Sequence, residues 1–145
     1  MDDDQPGIAV LMFVAHRDVE SRAMAALAEA GIDDITIAQS RLLQRLSPEG
    51  MRLTDLAEQA RVTKQTAGAL VDQLERAGYV VRRPDPSDAR ARLVTLSDTG
   101  LRVCRMADTE VARVEATWRK HLGDKAFDQL RTALISLREI TDPYV

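Results

Sequence analysis

The chain has a single cysteine, Cys104, in 145 residues, so no internal disulfide can staple the fold. That suits a reducing compartment. Aromatic residues amount to only 3%. With Ala and Leu abundant, this scarcity favours packed helices over a β-sandwich. Long hydrophobic runs are missing as well. The longest wholly apolar stretch, residues 8–15, falls far short of the ~20 residues a bilayer crossing needs. It follows Asp2, Asp3 and Asp4, where a signal peptide would carry positive charge. The expectation is a cytoplasmic protein without a membrane partner.

Catalytic signatures are lacking too. No nucleophile–base motif, glycine-rich phosphate loop or paired-carboxylate motif stands out. His16 and His121 lie far apart and show no cysteine or carboxylate at ligand spacing, which speaks against zinc. Neither an enzyme, a cofactor nor a metal site is expected. Cys104, on an apolar helical stripe, reads as a buried and inert thiol.

What is present is a normal globular composition, 45% hydrophobic and 30% charged, with a formal net charge of −3. Net negative charge by itself argues against nucleic acid, but the distribution matters more. Residues 52–92 hold eight Lys or Arg against six Asp or Glu. The remainder holds twelve basic against seventeen acidic residues. The basic surplus is therefore concentrated in one stretch, as a face that meets phosphate requires.

That stretch organises the chain. Thr54 is expected to cap a short helix over 55–60 after a brief strand at 52–53, with a turn at 61–62. Thr63 caps the next helix, 64–77, whose inward face is Ala67, Leu70, Val71 and Leu74. Gly78 closes it. Strand patterns at 79–83 and 90–96 flank Pro84-Asp85-Pro86-Ser87-Asp88, which two prolines should exclude from a strand. The order is helix, turn, helix, hairpin: a winged helix-turn-helix.

The flanks are helical. Residues 1–7 read as a loose polar tail. Residues 8–30 form a long helix ending at Gly31, and its first two turns are apolar on all sides, which demands cover from more than one direction. Either the core of a single domain or a second subunit can supply that cover, and a subunit interface is the expectation. Asp33 or Asp34 can cap a helix over 35–46, ended by the turn at 47–50. Ser97 caps a long helix to about His121, Gly123 breaks it, and residues 124–140 form the last helix. The expected class is mostly α (formally α+β), with six helices and a β-hairpin wing. One domain spans 1–145, with the winged helix-turn-helix lobe at 35–96 between flanking helices at 8–31 and 97–141, the expected apparatus for holding two copies together.

A helix-turn-helix reads bases from the start of its second helix, here Thr63, Lys64, Gln65 and Thr66, with Arg61 in the turn. Glutamine can pair bidentately with adenine, and lysine can reach guanine or phosphate. The hairpin carries Arg82, Arg83, Arg90 and Arg92. An arginine on a stiff tip can enter a narrow minor groove, and Asp88 can pair with an arginine to fix its aim. Met12, His16 and Arg17 are the candidate lining of a ligand pocket.

The pattern LxxxGYVxRxxDPxDxRxxxVxLSxxG over residues 74–100 resembles the signature of the MarR (multiple antibiotic resistance regulator) family. The flanking helices match in number, order and length. The resemblance implies an obligate homodimer that interlocks through its first and last two helices. It implies recognition helices in successive major grooves and wings in the flanking minor grooves of a pseudo-palindromic operator. Arg90 then stands as the minor-groove arginine and Asp88 as its orienting partner. Ser97 stands where the family more often has Thr. Many members, typically repressors, release DNA when a small aromatic effector binds. Oxidant-sensing members carry their cysteine near the N-terminus, unlike Cys104. The alternative reading, from a different class, is a winged-helix protein–protein module without DNA binding.

Overall fold

The computed structural model describes residues 5–144. Six helices and one hairpin follow in the order α1 (Ile8–Glu29), α2 (Ile37–Leu43), α3 (Leu53–Ala60), α4 (Lys64–Arg76), β1 (Val80–Asp85), β2 (Asp88–Leu96), α5 (Asp98–Leu122) and α6 (Asp124–Thr141). Most of the expected tail at 1–7 lies outside the described residues.

The lobe is built on a small core. Leu42 from α2, Leu56 from α3, Ala67, Val71 and Leu74 from α4, and Val80 and Val94 from the hairpin are almost wholly buried. Small residues on α3 and α4 let the two helices pack closely. The α3 helix ends on Arg61 in the left-handed region at φ 57°, whose N–H bonds the Glu58 carbonyl. Only a tight turn makes a non-glycine residue adopt that conformation. Thr63 caps α4, accepting the Thr66 amide at 3.0 Å.

The helix starts differ from expectation in two places. Thr36, rather than Asp33 or Asp34, caps α2, in a reciprocal box with Gln39. Asp34 instead accepts the Tyr79 hydroxyl. The α3 helix begins at Leu53 with Arg52 at its cap, so Thr54 lies inside the helix. The brief strand expected at 52–53 does not form; the preceding residue, Met51, instead makes an isolated bridge, exchanging both backbone hydrogen bonds with Val94.

The hairpin is longer than the sequence suggests. β1 runs through Pro84, paired with Arg92, and the register then shifts so that Asp85 faces Asp88. A two-stranded ribbon is nearly all edge, where a proline's missing donor is tolerated. The bulge closes the tip.

The scaffold is α1 packed along α5, with α6 folded back from Gly123. Ser97 caps α5 by accepting the Gly100 amide at 3.0 Å. The buried residues of α5 are Gly100, Val103 and Val114. Leu101 is exposed and Cys104 is half-buried, its thiol pushed up by burial. A Cys104 thiolate is thereby disfavoured.

A candidate nucleic-acid interface

The start of α4 and the outer half of the hairpin are both exposed. Lys64, Gln65 and Thr66 are all exposed, and the amide that the Thr63 cap occupies leaves the first-turn donors beside it facing outward. Arg61 is exposed at the preceding turn. Neither Arg61 nor Lys64 makes an ion pair among the described residues.

The hairpin sorts its arginines into separate roles. Arg90 is exposed and unpaired among the described residues. Its backbone N–H donates to Asp88 Oδ1 at 3.0 Å. Asp88 therefore shapes the turn that presents Arg90 and does not hold its guanidinium. The guanidinium that Asp88 approaches is that of Arg52, at 3.9 Å. Arg83 reaches the Glu49 carbonyl and Arg92 the Arg82 carbonyl, at 3.3 and 3.5 Å. Both stay exposed and available to phosphate. Arg82 departs from the expectation of a free wing cation, because its guanidinium bonds Asp72 and Glu75 of α4.

Sequence reasoning missed the residue that anchors the tip. Asp85 is buried. Its Oδ1 accepts the Ser87 amide and hydroxyl at 2.9 and 2.7 Å, and its Oδ2 accepts Arg52 Nε and Nη2 at 3.0 and 2.9 Å. These bonds, the Ser87 amide foremost, hold its carboxyl below the usual range. An Asp-Pro-Ser run signals an Asx-turn, so half of the motif was visible. Its Arg52 partner lies 33 positions away, beyond local pattern.

Two further polar links join lobe to scaffold. Glu20 of α1, buried, takes a fork of hydrogen bonds from Arg41 of α2 at 2.8 and 2.9 Å. The Arg41 bonds hold its carboxyl low. Burial, and then Asp34 beside it, push the Tyr79 phenol up to about 12. Met12, His16 and Arg17 sit on α1. His16 does have a carboxylate one turn on, with Nε2 3.8 Å from Glu20, correcting the sequence reading. Arg17 lies over the Phe13 ring at 5.7 Å. Among the described residues no cluster of three His, Cys, Asp or Glu stands ready for a metal. Among the same described residues no helix is long and apolar enough to cross a membrane.

Comparison with known proteins gives a consistent picture. Residues 33–91 match the model of the MarR family. The transcriptional activatory protein BadR of Rhodopseudomonas palustris is 31% identical over 114 residues, covering 76% of this chain. The match spans 64% of BadR's own length. The transcriptional repressor CouR of Rhodococcus jostii, solved on a 23-mer DNA duplex, is 27% identical with a TM-score of 0.68. That alignment covers 90% of this chain and 92% of CouR. A Mycobacterium tuberculosis MarR family protein in complex with salicylic acid is also 27% identical. It has a TM-score of 0.66 over 94% of this chain and 99% of that one.

Proposed function

The chain belongs to the MarR family, and on that premise we propose that it is a homodimeric, sequence-specific DNA-binding transcriptional regulator acting in the cytoplasm. The observation that carries the proposal is the pairing of an unencumbered Gln65-bearing helix start with an unpaired Arg90 on a braced hairpin. This is the arrangement needed to read a major groove and enter the minor groove beside it. CouR, of the same fold, is solved on DNA. Thr63, Lys64, Gln65 and Thr66 contact the major groove, with Arg61, Arg83 and Arg92 at phosphate and Arg90 in the minor groove.

The homodimer rests on exposed apolar surface. Ile8, Val10, Leu11, Phe13 and Val14 at the start of α1 project in all directions and are all exposed. Ile135 and Ile140 of α6 are 60% and 83% exposed, and they flank a half-open stripe of Leu130, Leu134 and Leu137. Surface of this extent on both terminal helices marks an interface. Its distribution on several sides of each helix calls for an interlocked second copy rather than a flat contact. Helices 8–31 and 97–141 then hold two lobes, 35–96, at half-sites about one duplex turn, ~34 Å, apart.

The reading extends to repression relieved by a small aromatic ligand. Salicylic acid, 4-hydroxyphenylacetate and p-coumaroyl-CoA are bound in structures of this fold. BadR is an activator and CouR a repressor, so a promoter–reporter fusion reads the sign. The decisive experiment is selection of duplexes from a random library by the purified chain. Recovery of a two-fold symmetric sequence with half-sites one turn apart is expected. Recovery of unselected sequence, with no binding at low salt, favours the protein–protein module.

A further inference from the structure

Arg82 is the third residue of β1, on the root side of the hairpin, paired with Val94. Its side chain is only 19% exposed, far less than those of its hairpin neighbours. Nη2 lies 2.8 Å from Asp72 Oδ1 and Nη1 3.0 Å from Glu75 Oε1. These two carboxylates stand three positions apart on the outward face of α4, one behind the other along the helix. One guanidinium thus bridges both and joins the hairpin to the reading helix, an arrangement that suits its planar fork.

Three features set this contact apart from an ordinary surface ion pair. It links two elements that must each meet the same duplex. It neutralises two carboxylates on the DNA-facing lobe, where like charge repels phosphate. It also works with the second tie, Arg52 to Asp85, which fixes the tip to the start of α3. The hairpin is therefore held at its root by α4 and at its tip by α3.

We infer that Arg82 is a positioning residue for DNA recognition: it bridges Asp72 and Glu75 to set the angle between wing and recognition helix, and it does not itself contact DNA. The inference rests on the proposed DNA-binding function. Its prediction runs opposite to simple electrostatics. Asp72→Asn with Glu75→Gln removes two negative charges near the duplex and frees one arginine. If Arg82 were a phosphate contact, this double variant would bind DNA more tightly.

The test measures affinity for the selected operator by fluorescence anisotropy across a salt series, with thermal melts confirming the fold. The double variant is expected to bind about tenfold more weakly, the scale of one lost charge-assisted anchor. Arg82→Gln is expected to weaken binding similarly with an unchanged log–log salt slope, because no counterion-releasing contact is lost. Tighter binding by the double variant, or a slope reduced by about one unit in Arg82→Gln, overturns the inference. A second readout needs no DNA. In a Cys104→Ser background, nitroxides at positions 69 and 89, both exposed, report the distance between α4 and the wing tip. The double variant should broaden that distribution; an identical distribution overturns the inference even if the chain binds no DNA. Absence of DNA binding by the parent chain instead defeats the proposed function.

Discussion

Gly100, in the first turn of α5, lies so close to Tyr79 that a β-carbon placed on it would stand 1.9 Å from the Tyr79 carbonyl oxygen. The same carbonyl accepts the Ser97 amide at 3.0 Å, and the Tyr79 hydroxyl donates to Asp34. One residue between α4 and β1 thus seats the scaffold helix against the lobe. The obstructing atom is backbone and cannot swing aside.

Gly100→Ala should therefore destabilise the fold by about 2–3 kcal/mol, the usual cost of overpacking. Gly68, inside α4, is the control. A β-carbon there meets only Leu53 Cδ2 at 3.6 Å, an ordinary contact. Gly68→Ala should stabilise by roughly 0.5–1 kcal/mol through helix propensity. Chemical denaturation of both variants checks the pair, and equal effects would refute the close-approach argument.

Asp85 gives the fold an acid limit. Its folded value is depressed by the Ser87 amide, the Ser87 hydroxyl and Arg52. A depressed carboxyl contributes stability that is present above its unfolded value, about 3.9 for Asp, and that is lost as pH falls through the folded value. The stability gap between the parent and Asp85→Asn should be widest near neutrality and should close in strong acid. Denaturation curves at a series of pH values test this, and a constant gap sinks it.

Arg90→Ala should weaken operator binding and lower the salt-dependence slope by about one unit. Gln65→Ala should leave the slope almost unchanged and relax base preference at one position per half-site. Competition assays against single-base operator variants separate these outcomes. A uniform loss across all sequences in Gln65→Ala would deny it a reading role.

Charge placed in the exposed apolar surface should split the proposed dimer. Phe13→Asp with Leu134→Asp is expected to sediment as a folded monomer. It should bind the full operator at least about a hundredfold more weakly, because two linked lobes no longer share one duplex. A variant that stays dimeric would place the interface elsewhere.

Much of this was legible locally. Thr63 and Ser97 cap their helices as their positions suggest, and glycines 31, 78 and 123 all adopt positive φ at helix ends. What sequence could not supply were links between distant residues: Glu20 with Arg41, Arg52 with Asp85, Arg82 with Asp72 and Glu75. Each pair spans at least one turn between elements, where neither periodicity nor composition carries information. Arg82 shows the cost of this blindness, since counted in sequence it is one more wing cation. Gln39 illustrates the reverse case: a polar residue on a buried face, satisfied by Gln73 at 2.8 Å.

The hairpin's fastening at both root and tip has a kinetic and a geometric consequence. A loop that must be captured by the duplex surrenders conformational entropy at that moment, whereas one already immobilised surrenders little. Encounter should then proceed without an ordering step, at a rate governed by steering alone. The same stiffness makes the protein intolerant of altered spacing. One inserted base pair displaces the next groove by about 3.4 Å along the axis, and a braced prong has no slack with which to follow it.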